Sequence, residues 1–521
     1  MAIKKYIATA DNTVTNALKA DLTTKGTGSN MGAADILEVF YIAGQTSASA
    51  GISSEKSRIL VDFDTDQMST DRTNGLIPAS GNVSWYLNLY NAAHAFTLPK
   101  NFTLSILPVS SSWQEGYGLD MSNYSDQTFQ GTGSNWIYRG ATGDSYTTWT
   151  AQGGDFVDND VMLSASGYAS YTASFVDGTE NISIDISALV EKWLGGATSN
   201  YGLGIVLSGS YETGSKSYYT KKFFSRTSEY FFRRPNIEAR WDSSIKDNAA
   251  NFIQSSSLAT GDDNLNTIFL YNYVRGKLQN IPDSPKNTNA SIIYASLYSS
   301  STGNIYDKLP LPKGGGVVAA GNTNVTGGIY IGPEGAVAGI YTASVAMSHS
   351  LDSGSVYAAW HFNDVVTYHT SSAITVTTLE ASNYNPDPEY VTTVEDLKPS
   401  YSRKEEARFR LFVRTKNWNP NNYTVMQSTQ QTNVVNDAYY SVFRIVDDYE
   451  VIPFGTGSAT SPQADGSAGS YTRLSYDISG NYFDLSMDLL KAGYEYGLKF
   501  AYYINGSYRE QKEVFKFKVE E

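Results

Sequence analysis

Reaction chemistry in this chain would have to come from carboxylates, from four histidines, or from aromatic rings set among basic residues. Cysteine is absent from all 521 residues, which excludes disulfides and thiolate metal sites. Glu115 lies beside Trp113, with Asp120 and Asp126 downstream. Two such carboxylates about 5–9 Å apart across a groove would make a glycosidase acid and nucleophile, a separation that a loop-like stretch does not fix. Asp62, Asp64 and Asp66 alternate, which on one strand face gives either an oxygen-rich calcium site or a solvated edge. The glycine turn and distal glutamate of an EF-hand are missing. His94, His349, His361 and His369 form no HExxH pattern. His361 and His369 sit eight apart across a turn, so a shared metal competes with an ordinary surface or hydrogen-bonded role. No GxSxG, P-loop or GxGxxG cradle occurs. The expectation is a chain with no catalytic residue, no metal and no cofactor.

Recognition has better candidates than reaction. Trp113, Tyr117, Tyr124, Trp136, Tyr138 and Trp149 fall in one Gly/Ser-rich excursion. Such rings stack on sugars, anchor protein interfaces, or cap a β-sandwich as core. A second cluster, Lys221, Lys222, Arg226, Arg233 and Arg234, is interleaved with Phe223, Phe224, Tyr230, Phe231 and Phe232. Alone it would suit single-stranded nucleic acid. The formal charge of −14 on the whole chain argues against nucleic acid and anionic membranes, and favours pairing with a neighbouring subunit's carboxylates.

The elements that position these residues read as strands. Length alone implies several domains, and 39 Tyr with abundant Ser, Thr, Gly and Asn lean towards β-structure. Ile59, Val61 and Phe63 alternate, as do Val83, Trp85, Leu87 and Leu89, then Phe102, Leu104 and Ile106. Ile182, Ile184 and Ile186 lead into a short helix carrying Leu189, Trp193 and Leu194, capped by Ser187 and stopped at Gly195-Gly196. Strands at Leu203–Leu207 and Ile237–Trp241 close a first domain over 1–241. Polar residues 242–264 read as a linker, 265–384 as an immunoglobulin-like sandwich, 385–395, with Pro386 and Pro388, as a second linker, and 396–521 as a third sandwich. In the last, Phe409, Leu411 and Val413 face inward, and Asn505-Gly506 predicts a hairpin joining Leu498–Tyr503 to Glu513–Val519. The fold class is thus all-β, with three serial antiparallel sandwiches, the second and third immunoglobulin-like.

A run of motifs in the first domain resembles a known family. Ser112-Trp113-Gln114-Glu115-Gly116, Asn135-Trp136, Asp185-Ile186-Ser187, Asn200-Tyr201-Gly202-Leu203, Phe224-Ser225-Arg226 and Arg234-Pro235 follow the strand Arg58–Phe63 in the order of the DNRLRE-type β-sandwich module. That family occurs in bacterial surface, carbohydrate-associated and phage proteins. The C-terminal part, ARFRLFVRTKNWNPNNYT onward, resembles uncharacterised virion structural proteins of large marine tailed phages. The resemblance implies a fold and no catalytic residue. It also implies a non-enzymatic virion protein of the neck, collar or tail, assembled in the host cytoplasm and contacting copies of itself and other virion proteins. A carbohydrate-binding adhesin or receptor-binding fibre module, using host glycans, is the alternative, and a polysaccharide hydrolase the next. The start, MAIKKYIATADNTVTNAL, carries no apolar run of signal-peptide length.

Overall fold

Strand-forming alternation decides the architecture: with 49% strand against 7% helix, the fold is all-β. The computed structural model describes residues 3–19, 21, 23–47, 51–94, 99–119, 132–157, 171–212, 218–282, 293–303, 308–311, 323–348, 354–362, 364–378, 385, 387–416, 432–456 and 470–521. The chain forms two compact units, Ile3–Trp241 and Asp242–Glu521.

In the first unit the strands are β1 (Ile3–Ile7), β2 (Ala10–Thr15), β3 (Ile36–Ser47), β4 (Gly51–Asp62), β5 (Ser84–Leu89), β6 (Phe102–Pro108), β7 (Tyr138–Thr142), β8 (Ser145–Thr148), β9 (Tyr171–Phe175), β10 (Ile182–Asp185), β11 (Leu203–Leu207), β12 (Tyr218–Phe224) and β13 (Asn236–Arg240). Two helices, α1 (Thr65–Thr73) and α2 (Ser187–Leu194), accompany them. One sheet runs β1-β13-β5-β10; a seven-stranded sheet runs β12-β3-β4-β11-β6-β9, with β2 also on β4. Alternate residues of both sheets meet in one core that holds Leu37, Val61, Trp85, Leu104, Ile205 and Trp241, as period-two side chains on facing sheets must. The helix α2 adds Leu189, Val190 and Trp193 to that core.

Two local expectations are corrected here. Ser187 is the first residue of α2 and does not cap it. Its Oγ accepts from Trp85 N at 2.8 Å, while Asp185 Oδ1 accepts Ser187 N at 2.8 Å. The stronger acceptor two residues earlier takes the exposed N–H, which frees the hydroxyl to tie the helix to β5. Likewise Asp62, Asp64 and Asp66 do not share a strand face. Asp62 ends β4, Asp64 caps α1 by accepting from Gln67 N, and Asp66 lies in the first turn of the helix, where negative charge suits the helix N-terminus.

In the second unit an eight-stranded sheet is built from β14 (Phe252–Ile253), β15 (Asn266–Tyr271), β18 (Ile293–Tyr298), β19 (Val325–Gly332), β20 (Gly335–Val345), β21 (Ser355–Phe362), β22 (Val366–Thr370) and β23 (Ile374–Thr377), with a small ribbon of β16 (Tyr273–Val274) and β17 (Lys277–Leu278). Its core includes Phe252, Leu297, Tyr341, Val356 and Trp360. Two further sheets are formed by β24 (Tyr390–Glu395), β26 (Glu406–Thr415), β29 (Ser475–Asp477) and β30 (Gly480–Ser486), and by β25 (Ser400–Ser402), β27 (Ala438–Arg444), β28 (Tyr449–Ile452), β31 (Glu495–Ile504), β32 (Ser507–Glu510) and β33 (Phe515–Glu520).

The stretch 242–264 is no free linker. Asp247 N donates to Tyr476 O, and Tyr476 N donates to Ile245 O; Asp242 pairs with Arg473, and Phe252 is fully buried. Backbone polarity, satisfied on β29, holds down a segment whose side chains look like those of a loop. The Asn505-Gly506 turn forms with both residues at positive φ, as a tight primed turn requires. Its second arm is Ser507–Glu510, and Phe515–Glu520 pairs separately with the first half of β31. The 385–395 stretch includes β24, paired along β26, so most of it is sheet.

Candidate functional site

The aromatic excursion is fixed to the outer face of the seven-stranded sheet by a buried polar network. Asp11 and Asn12 lie on β2, and both are fully buried. Asn12 Nδ2 donates to Ser134 O and Oγ at 3.0 and 2.9 Å, and Asn12 Oδ1 accepts from Met31 N. Asn30 Nδ2 donates to Glu115 O and Ser134 O at 2.6 and 2.7 Å; its Oδ1 accepts from Gly118 N. Gly116 has a φ of +84°, and a Cβ there would meet the Asn30 amide at 2.5 Å. Only glycine passes at that point.

Charge completes the clamp. Arg226, just after β12, grips both oxygens of Glu115 through Nε and Nη2, the fork geometry natural to guanidinium and carboxylate. The same Glu115 accepts from Asp11 N at 2.9 Å, and Arg226 N donates to Asp11 Oδ2 at 2.6 Å. The bonds to Glu115 push the Arg226 pKa up. Burial raises Asp11 to about 7, with the backbone bond from Arg226 opposing. Its Oδ1 is buried with no hydrogen bond among the described residues. Glu115 is locked to a cation and a backbone N–H and acts as a strut. Asp120 and Asp126 lie outside the described residues.

The three tryptophans divide differently from a sugar platform. Trp136 and Trp149 are only 6% and 4% exposed and form a second core with Val14, Leu60 and Val109. Arg58 stands over Trp136, 5.5 Å from the ring centre. Trp149 Nε1 donates to Asn135 O at 2.8 Å, and half-buried Trp113 packs on this core with Nε1 on Tyr201 O at 2.9 Å. Burial of Trp149 and partial burial of Trp113 are tolerated because their indole N–H groups each find a carbonyl there. Gln114 ties the loop to the β7–β8 hairpin, its N donating to Arg139 O and its Oε1 accepting from Ala141 N at 2.8 Å. Arg139 in turn donates to Ser112 O and Oγ at 2.7 Å. What this rigid apron turns outward is Tyr117, 61% exposed, Leu119, and Tyr146, whose ring centre lies 5.0 Å from that of half-buried Tyr138. Tyr124 lies outside the described residues. No family model matches the chain, and no curated protein is similar to it in sequence.

The basic cluster is dispersed by the fold. Lys221 is fully buried; Lys222 reaches Glu38 at 3.6 Å; Arg226 belongs to the clamp. Arg233 is exposed and lies over Phe224 and Tyr230, while Arg234 donates to Ser228 O and lies over Phe231. Alternation along β12 sends Lys221 inward and Lys222 outward, so these five residues form no continuous cationic groove among the described residues. The histidine pair is also separated by function. His361 Nδ1 accepts from Asp364 N at 2.9 Å, and Nε2 pairs with Ser296 Oγ at 2.8 Å, whereas His369 is exposed on β22. His349 lies outside the described residues. Asp11, Asn12, Asn30 and Ser134 escape sequence reasoning; their one signal is an Asp-Asn pair inside an otherwise strand-forming run.

Proposed function

We propose that this chain is a non-enzymatic structural protein of a tailed-phage virion, a connector or decoration of the neck, collar or tail. It is assembled in the host cytoplasm and works by contacts with copies of itself and with other virion proteins. The observation that carries this reading is the Asp11–Glu115–Arg226 clamp. The best-placed carboxylate of the aromatic loop is spent on rigidity, and the loop is held as a stiff apron with tyrosines outward. Rigid surfaces rich in Tyr are suited to symmetric protein contacts.

The DNRLRE-type reading of the first unit draws support from the same place. Glu115, Asn135, Trp136, Tyr201 and Arg226, which carry the resemblance, are among the residues that build the apron and its core. Three serial sandwiches, the second and third immunoglobulin-like, complete the proposal; the separate strand sets over 252–377 and 390–520 support it. Mass-spectrometric quantitation of purified particles tests the role. A fixed, high copy number is expected, and absence from particles overturns it.

The exposed Tyr117 and the Tyr138–Tyr146 pair favour one second reading, a glycan-binding adhesin or receptor-binding module, since exposed rings on a rigid support stack on sugars. Glycan arrays with the full chain separate the two: binding lost in Tyr117→Ala supports the adhesin, and no binding to any glycan counts against it.

A further inference from the structure

Lys221 and Asn91 meet where the end of β5 comes alongside β12. Lys221 is fully buried on β12, yet its Nζ donates to Asn91 Oδ1 at 2.7 Å and to Gly178 O at 2.8 Å. The rings of Phe175 and Phe223 lie 4.7 and 5.3 Å from Nζ. A carbonyl bond is about 1.2 Å long, so the amide carbon of Asn91 lies within about 4 Å of the amine. The backbone fixes this approach: Ala92 N donates to Lys222 O at 3.0 Å, and Phe224 N to Tyr90 O at 3.1 Å.

Two groups able to take a proton lie within electrostatic range of Lys221, beyond direct ion-pair contact. Glu180 is close enough for its charge to act on Lys221, and its Oε2 is buried without a hydrogen bond among the described residues. Burial would raise Glu180, but backbone N–H groups of the 176–180 turn outweigh it and keep the group a carboxylate. His94 feels the charges of Lys221 and Lys222, and its Nε2 is buried with no partner among the described residues.

We propose that Lys221 and Asn91 form an intramolecular isopeptide bond, with Glu180 and His94 carrying the proton. The step is redox-neutral and needs no co-reactant. The Lys221 ammonium first gives a proton to a flanking base. The neutral amine then attacks Asn91 Cγ, forming the Nζ–Cγ bond. Collapse breaks Cγ–Nδ2, and Nδ2 leaves as ammonia with its own two hydrogens and one from Nζ. Burial lowers Lys221 to about 8, against the pull of Glu180, so roughly a tenth of the amine is neutral at pH 7. That fraction suffices for a single irreversible turnover in a preorganised, desolvated site. Asn91 follows β5 and Lys221 lies in the opposite sheet, so the bond would staple the two layers of the first unit. It stands whatever the particle role proves to be.

The intact mass of the full-length protein tests this directly. Loss of about 17 Da, the mass of ammonia, is expected. Tryptic residues 73–100 should be recovered joined to 217–222, uncleaved after the acylated Lys221. Lys221→Met and Asn91→Ala should each restore the full mass, and Glu180→Gln should slow the loss by at least about tenfold. The wild-type measurement does not depend on any variant folding. A full sequence mass with trypsin cutting after Lys221 overturns the proposal, as does a 17 Da loss that maps to another asparagine. An unchanged rate in Glu180→Gln overturns the role given to that carboxylate.

Discussion

Replacing Arg226 with methionine isolates what the clamp contributes. The backbone N–H that serves Asp11 is kept, and only the guanidinium fork on Glu115 is lost. Glu115 is then left as an unpaired carboxylate with its side chain 17% exposed, beside a fully buried Asp11. Breaking a buried ion pair by removing one partner costs about 3–5 kcal/mol. Because Arg226 itself is about a third exposed, the lower end, about 3 kcal/mol, is expected. For a unit of this size 1 kcal/mol moves Tm by about 2–4 °C, so a fall of about 6–12 °C should appear in calorimetry. Adding Glu115→Gln to Arg226→Met should recover part of the loss, with a coupling of at least about 1.5 kcal/mol in the double-mutant cycle. An Arg226→Met protein that melts with the wild type, or a double variant whose losses simply add, would refute the clamp as the strut of the apron.

Asp11 should make stability fall as pH rises. Its folded pKa, about 7, lies above the unfolded value near 3.9, so between about pH 4 and 7 the unfolded chain binds fewer protons than the folded one, and up to about 4 kcal/mol is lost across that window. Asp11→Asn should flatten this slope in urea titrations run at pH 5 and pH 8; an unchanged slope refutes it. Gly202→Ala should lower Tm by several degrees, since φ is +81° and the new Cβ would sit 2.3 Å from Val61 O; a cost above about 2 kcal/mol is expected. Trp136→Ala should cost about 3–5 kcal/mol as a core truncation, whereas Tyr117→Ala should stay within about 0.5 kcal/mol, and the pair of melting curves checks both.

What the sequence reveals of this fold is what local period can encode. Trp85, Leu87 and Leu89, or Phe409, Leu411 and Val413, announce their inward faces directly, and all are buried. The Asn505-Gly506 turn is legible for the same reason, but the partner of its incoming strand is not. β31 is ten residues long and accepts two different strands along one side, a choice made by tertiary pairing. Segment 242–253 misleads because much of its anchoring runs through backbone bonds to Tyr476, to which side-chain patterning is blind. The site is harder still. Asp11, Glu115 and Arg226 come from strand, loop and strand end, with Glu115 and Arg226 separated by 111 residues, and no short-range rule links them. The tryptophans are visible as a cluster, but which ring is buried depends on packing against Val14, Leu60 and Val109, the first two far from them in sequence.

One pairing in the first unit sets a timetable. Among the described residues β1 is an edge strand whose one neighbour is β13, with Ile3 opposite Arg240 and Ile7 opposite Asn236. During synthesis the earliest strand of this unit therefore waits for its last. At about 5–20 residues per second that wait is roughly 10–50 s. Through that interval the backbone of β1, from Ile3 to Ile7, lacks its ladder partner. The unit must be completed before it is closed, and any nascent chain halted before residue 236 carries β1 without its strand partner.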